Sequence, residues 1–380
     1  MIWTVFVLNL QRLRHNRVEL LLLFVVPIAF FSIFALIFGK GVGGSTAQIK
    51  AVVVDQANTP ASQTVVKTLI DNAGLRMMRT ADAGDINARE AERLVRIGGV
   101  AVAILIRDVD HHLSAELLTD ASDQVAGQLA SAIVTRSLLE VQATRQSDRL
   151  ATRDPMMTFQ PGATETPPVQ MVDVMGQGKA NPVVSMYAAG IAVMFLLFGA
   201  TGGGGALLEE KENQTLGRLL STRLSMDQLL LGKWFYLTTI GIIQVTVMFL
   251  WGQLVFSIEL LQHLDGFVMM TVVTSAAAAS FGLLLATLCK TRGQLNGLSI
   301  ILVLTMSALG GSMVPRYVMS ESMRELGKWT FNAWALDGYD KVFWRDLPVS
   351  ALAPQLGMLM LTGIAFLLLA RLLALRWQTE

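Results

Sequence analysis

The sequence predicts an α-helical integral membrane protein with six spanning helices (1+5) and a mixed α/β domain inserted between the first and second. Three observations predict it. Hydrophobic residues make up 53% of the 380 and charged residues only 16%, whereas a soluble domain carries about 25% charged residues. Mean hydropathy is +0.51. The missing charge is confined to six uncharged stretches, Leu20–Gly39, Val183–Leu208, Trp234–Ile258, Gly266–Cys289, Gly293–Pro315 and Leu347–Ala370. At about 1.5 Å rise per residue, roughly 20 residues cross a hydrocarbon core of about 30 Å. Buried helices of this kind in a soluble chain would leave too little polar sequence to cover them.

Residues 1–19 precede the first span. Trp3, Phe6, Val7, Leu10 and Leu13 recur at helical spacing, with Gln11, Arg12 and Arg14 elsewhere around the wheel. That pattern predicts an amphipathic helix lying at the cytoplasmic membrane interface. A basic segment before an apolar run also describes a signal peptide, but the run 20–39 exceeds a typical apolar core and GKGVGGSTAQ is a weak cleavage context. It reads as a retained first transmembrane helix. With Arg12, Arg14 and Arg17 inside, the cytoplasmic segments hold eleven Lys/Arg against five in the two short outer loops. That asymmetry favours a multi-pass protein of the cell (inner) membrane with both termini cytoplasmic and residues 46–180 extracytoplasmic.

The insert, residues 46–180, reads as an ordinary α/β domain. Ile49–Val54 is a β-branched run ending at Asp55, followed by the turn chemistry Asn58-Thr59-Pro60. Val65, Val66, Leu69 and Ile70 give helical spacing over residues 62–71, and Leu75–Thr80 is a strand candidate. Asp85 is the expected cap of a helix through Arg96, ended by Gly98-Gly99, and Val100–Ile106 is a buried-type strand. A short strand Leu117–Thr119 and a helix from Ser122 or Asp123 to about Arg145 follow. Strands alternating with helices predict a small sheet covered by helices. Residues 153–181, with Pro155, Pro161, Pro167, Pro168 and then Pro182, predict an irregular return to the membrane.

No enzyme site emerges. The sequence has no G-x-S-x-G, H-E-x-x-H or Walker A pattern, and no catalytic or metal-binding residues are expected. His111 and His112 are adjacent and so point in different directions. Gly202–Gly205 lies in an apolar span with no Lys-Ser/Thr behind it, which suits close helix packing or a kink rather than a phosphate loop. A net charge of +1 without a basic cluster gives no nucleic-acid surface, and the lone Cys289 cannot form an intrachain disulfide.

The functional signal lies after the second span, where Glu209, Glu210, Lys211 and Glu212 lead into Thr215, Leu216, Leu219 and Leu220. The three leucines share one helical face, giving a short amphipathic helix over residues 209–225 held against the inner face with a polar side toward the cytosol.

This segment resembles the signature of type-2 ABC transporter permeases, E-x-E-x-G-T-L-E-x-L-L-x-T-P-[VL]-S, a gap, then G-K. The chain matches at Glu210, Glu212, Thr215, Leu216, Leu219, Leu220, Thr222, Ser225, Gly232 and Lys233. It departs at Gln214 for the usual Gly, Gly217 for the usual Glu and Arg223 for the usual Pro. LGGSMVPRYVMSESMRELGKWTFNAWALDGYDKVFW is similar to the family's outer segment after the fifth span, with Gly311 and Pro315 in an outer gate and a re-entrant piece over residues 316–346. The insert's IKAVVVDQANTPAS and LLTDASDQVAGQLASAIV are similar to members with a large extracytoplasmic domain. Tyr187-Ala188-Ala189-Gly190 replaces the usual Phe-x-x-Pro-Gly at the start of the second span.

The resemblance implies an export permease whose coupling helix docks on a separate ABC ATP-binding subunit. ATP and Mg are then held by that partner, and no cofactor by this chain. Glu209, Glu210 and Glu212 would supply charge complementarity, while Leu216, Leu219 and Leu220 anchor the helix. Six spans imply a second permease copy or paralogue, and a periplasmic adaptor is a further possible partner. For the substrate path, the polar residues in the spans are Gln244, Gln253, Thr239, Thr246 and Ser275, with Thr238, Thr274, Ser280, Thr305 and Ser307 behind them. Uncharged spans suit an amphipathic or lipid-like cargo better than an ion. The alternatives are an ion or small-solute efflux permease of the same family, a secondary transporter, and a membrane-anchored envelope sensor or scaffold.

Overall fold

The computed structural model of the protein describes residues 2–38, 49–72, 74–78, 86–109, 112–120, 124–151, 169–174, 182–221, 224–314, 319 and 321–378. They form two compact units, residues 1–40 with 180–380, and residues 41–179.

The chain starts with α1 (Ile2–His15), whose Val5 and Leu13 are buried. Asn16 interrupts it and accepts a hydrogen bond from the Glu19 amide at 3.2 Å, opening α2 (Arg17–Leu20). A π-helical turn, Leu21–Val25, then joins α3 (Val26–Phe38), with the Val26 amide bonded to the Leu21 carbonyl five residues back. Pro27 supplies the reason. It has no N–H, and its ring takes the space of the carbonyl four residues earlier, so the regular ladder cannot run through this point.

The second unit is a five-stranded sheet, β1 (Ile49–Asp55), β2 (Leu75–Met77), β3 (Val102–Val109), β4 (His112–Thr119) and β5 (Val169–Asp173), in the order β2-β1-β3-β4-β5. Strand β1 pairs in parallel with β2 and β3, β3 with β4 is antiparallel, and β4 with β5 is parallel. Alternation along β1 sends Ile49 and Ala51 to one face and Val52 and Val54 to the other. The first face packs on α4 (Pro60–Ile70) and α6 (Gln124–Ala151) through Val65, Leu69, Ala130 and Val134. The second packs on α5 (Ala88–Arg96) through Ala91 and Val95. Two expectations are corrected. Asn87, not Asp85, caps α5, its side chain accepting from the Glu90 amide at 2.9 Å, while Asp85 itself lies outside the described residues. Residues 169–173, expected as irregular chain, form β5, because edge pairing to β4 satisfies their backbone.

After this unit come α7 (Pro182–Glu212), α8 (Thr215–Leu220), α9 (Met226–Phe256), α10 (Leu264–Leu288), α11 (Arg292–Gly310), α12 (Glu321–Gly327), α13 (Phe331–Phe343) and α14 (Ala353–Leu375). Among the described residues five helices are long and apolar enough to cross a membrane: Val184–Glu212, Met226–Phe256, Leu260–Leu288, Arg292–Gly310 and Val349–Leu375. The expected first span is helical through α2 and α3, but its apolar part, Leu21–Ala35, is shorter than the other five. It is fastened to the bundle by the Trp251 indole, which donates to the Ser32 hydroxyl at 3.0 Å.

Helix α10 is the centre of this unit and is buried at every position from Ala277 to Thr287. It packs against α7, α9, α13 and α14. In lipid no hydrophobic force drives helices together, so close backbone approach matters more. Small residues provide it. A Cβ on Gly204 of α7 would stand 2.6 Å from the Gly282 carbonyl oxygen, and one on Gly282 would overlap the Ala200 carbonyl. Ala200 and Gly204 of α7 and Gly282 of α10 therefore form the crossing. The Gly202–Gly205 run serves this packing through Gly204, whereas Gly202 faces open space.

Gly282→Ala is expected to force α7 and α10 apart and cost about 1–3 kcal/mol, as overpacking does. Gly202→Ala should be neutral or raise stability by up to about 1 kcal/mol through helix propensity. Thermal unfolding of the purified protein in detergent checks both; equal effects would refute the crossing.

Candidate functional site

The run Glu209–Glu212 ends α7, whose 31 residues exceed the roughly 20 needed to cross a bilayer. Successive helix positions are rotated by about 100°, so neighbouring carboxylates reach different helices. Glu209 pairs with Arg12 of α1, and Arg292 Nη1 of α11 lies 3.2 Å from the same carboxylate. Glu210 Oε1 accepts from Lys233 Nζ of α9 at 2.9 Å. Glu212 Oε1 accepts the backbone N–H of Arg292 at 3.0 Å, satisfying an open donor at the start of α11. Lys211 Nζ sits 4.3 Å from the centre of the Trp377 ring. The carboxylates expected to face a partner subunit thus hold α1, α9 and α11 to the end of α7.

The Lys233 side chain is only 2% exposed and that of Glu210 21%. Glu210 Oε2 has no hydrogen-bond partner among the described residues, so Lys233 is the group that offsets its burial. The Arg12 guanidinium, bonded to Glu209, is held above its ordinary pKa. On the neighbouring face Arg371 of α14 makes two bonds to Asp227 of α9, at 2.8 and 2.9 Å.

The turn between α7 and α8 is made by Gln214 in the left-handed region, φ 58° and ψ 15°. The Thr215 hydroxyl donates back to the Glu210 carbonyl at 3.0 Å and fixes the reversal. Leu216 is buried in a cluster with Val5, Leu13, Leu207, Leu224 and Met226, and Leu219 packs against its edge. Leu220 is helical, but its side chain is outside the described set, as are Thr222 and Arg223. Asn213, Gln214, Gly217, Arg218 and Ser221 form the exposed side.

The rest of the charged segment is equally local in origin. Ser225 and Gln228 cap α9 reciprocally. A Cβ at Gly232 would meet Val5 Cβ at 2.8 Å, so this glycine lets α1 lie on α9. Gly232 and Lys233 of the permease-like motif thus have their partners on other elements, Val5 of α1 and Glu210 of α7. Arg12 and Arg292 were missed as site residues, since nothing local marks a contact to a carboxylate some 200 or 80 positions away.

Among the described residues, the other expected site residues share no hydrogen bond with one another. Gln244 and Ser275 are buried inside the helix packing, at 1% exposure each, with Gln244 Oε1 3.0 Å from a Cβ position on Gly199 and Ser275 against Gly241. The hydroxyls of Thr239 and Thr246 donate to the Phe235 and Ile242 carbonyls of their own helix. Gln253 lies near the far end of α9, with Oε1 unpartnered among the described residues. Gly311 ends α11 with φ 101°, a conformation that favours glycine, and Pro315 lies outside the described residues. Behind Gly311, Asn332 of α13 donates to the hydroxyls of Ser307 (3.1 Å) and Ser312 (2.8 Å). Among the described residues no cluster of three metal-ligating side chains occurs.

The family described as ABC-2 family transporter protein matches residues 18–372 of the chain. No curated protein matches it.

Lys233→Met strands Glu210, and Glu210→Gln strands the buried ammonium. Breaking one side of such a pair costs up to about 3–5 kcal/mol. The double variant Lys233→Met/Glu210→Gln is expected to be more stable than the two single losses added together predict, read as a thermal-unfolding double-mutant cycle. Additive losses would mean that the two groups do not act as a pair.

Proposed function

The chain belongs to the ABC-2 transporter family, and from that membership we propose that it is the membrane-embedded half of an exporter driven through α8. It is a multi-pass membrane permease component, not the ATPase, and the family implies a separate ATP-binding subunit. In this reading α8 docks on that subunit, which holds ATP and Mg, and the termini and α8 lie in the cytoplasm. The helix α2–α3 serves as a sixth crossing in the cell (inner) membrane, and residues 46–180 are extracytoplasmic.

The observation that carries the reading is the anchoring of α8. Its buried side is fixed by Leu216, its start by Thr215, and the helix end it follows is tied to α1, α9 and α11 by Glu209, Glu210 and Glu212. A displacement of α8 by a partner is therefore passed to four helices together. The docking surface is the exposed side, Asn213, Gln214, Gly217, Arg218 and Ser221, with the glutamates acting behind it.

Cargo travels along an outward helix face and not through the middle of one chain, since Gln244 and Ser275 are packed in the interior. That supports a dimer of permeases with the route between copies. The outward faces of α11 and α14 are apolar, with Ile300, Ile301, Leu361 and Leu372 exposed, which suits an amphipathic or lipid-like compound.

Crosslinking tests the docking surface, because the single native cysteine, Cys289, is buried. In membranes containing the co-expressed ATP-binding subunit, Arg218→Cys labelled with benzophenone-4-maleimide should form a photo-crosslink to that subunit and lose coupled transport. Lys67→Cys, on α4 of the α/β unit, should form none. A copurifying complex in which only the position-67 variant crosslinks would sink the assignment.

A further inference from the structure

Helix α1 presents a second surface that neither the bundle nor the charged junction uses. Trp3, Val7, Leu10 and Arg14 follow one another in steps of four, three and four residues, and Arg17 continues the stripe by three. Residues so spaced share one side of a helix. Trp3 is 71% and Leu10 41% exposed, and both arginines are exposed. The opposite side carries the buried Val5 and Leu13, while Thr4, Leu8, Gln11 and His15 form a separate exposed stripe that is mostly polar and carries no cation at its end like Arg14 or Arg17. Helix α1 thus has three sides: one on the protein, one mostly polar with Leu8 in it, and one apolar with guanidinium groups at its end.

Arg12 is engaged by Glu209. Among the described residues neither Arg14 nor Arg17 has an ion-pair partner. The apolar stripe leads directly into the exposed Leu21, Leu22 and Val25 of the membrane-embedded segment. The free cations therefore lie where hydrocarbon gives way to headgroups. An indole belongs at that level, and a guanidinium matches a phosphate through two parallel N–H bonds.

We propose that this side of α1 is a binding surface for anionic phospholipid headgroups, with Arg14 and Arg17 contacting the phosphate and Trp3 and Leu10 seated in the interface. The surface requires only that the protein lies in a bilayer, and not that α8 is a docking helix.

The test uses the full chain reconstituted in phosphatidylcholine vesicles with trace spin-labelled phosphatidylglycerol or spin-labelled phosphatidylcholine. Electron paramagnetic resonance then reads the motionally restricted, protein-bound fraction of each probe. Wild type should restrict the anionic probe preferentially, and raising salt should weaken the preference. Arg14→Gln/Arg17→Gln should lower it by about fivefold per arginine, the usual scale for one basic residue at an anionic surface. Arg14→Lys/Arg17→Lys should keep most of it. An unchanged preference in the Gln variant, with elution profile and Tm like wild type, overturns the proposal. So does a wild-type protein with no preference, the result expected if a second copy or the ATP-binding subunit covers this side.

Discussion

The pairing of Lys233 with Glu210 constrains the rest of the membrane unit. An ammonium held almost entirely out of water costs several kcal/mol unless an opposite charge and good hydrogen-bond geometry accompany it. The pair at 2.9 Å meets that need, and only because α7 runs on past its apolar stretch far enough to carry Glu210 alongside α9. Once α7 extends so far, its neighbouring carboxylates at 209 and 212 point to other sides of the helix and find Arg12 and the first amide of α11. A dense run of acidic residues, which on composition is a solvated face, is here a hub for four helices.

Within the bilayer the same unit relies on different chemistry. Backbone contact between Gly204 and Gly282 brings α7 against α10. Single polar side chains then pin individual crossings: the Trp234 indole donates to the Ala276 carbonyl at 3.0 Å and the Ser280 hydroxyl at 2.9 Å, and Tyr339 meets Thr271 at 3.1 Å. These side chains act as glue between helices. Threonines 239 and 246 do less, since their hydroxyls return to their own backbone. Gln244 and Ser275 likewise lie buried within the packing of the spans.

What was legible in the sequence follows from the range of each interaction. Spans and strands that depend on local hydrophobic runs, such as α10, β1 and β3, were placed within a few residues, whereas α9 begins at Met226, ahead of its apolar run, because Ser225 and Gln228 cap it there. The helix expected over residues 209–225 was legible only in part: Leu216 and Leu219 mark α8, but residues 209–212 belong to α7 and the left-handed Gln214 separates the two. Strand β5 was not, because five residues among prolines carry little periodicity and the strand exists through its pairing with β4. The partners of Glu209 and Glu212 were equally invisible, being set by tertiary packing of distant helices. So was the π-helical turn, although Pro27 was its visible cause.

The positions where the charged segment departs from the permease pattern sharpen the division within it. Matching positions Glu210, Thr215, Leu216, Ser225, Gly232 and Lys233 all have partners inside the chain. Departing positions Gln214 and Gly217 are exposed, and a Cβ at Gly217 would meet nothing within 4 Å. Gln214 occupies a left-handed conformation that glycine adopts freely and other residues adopt at a cost of about 1–2 kcal/mol. The same restriction leaves the joint between α7 and α8 fewer alternatives than glycine would, so motion imposed on α8 is less readily absorbed at the turn. The internal wiring thus follows the shared pattern, while two of the three departures, Gln214 and Gly217, fall on the surface that a partner subunit meets in the proposed mechanism.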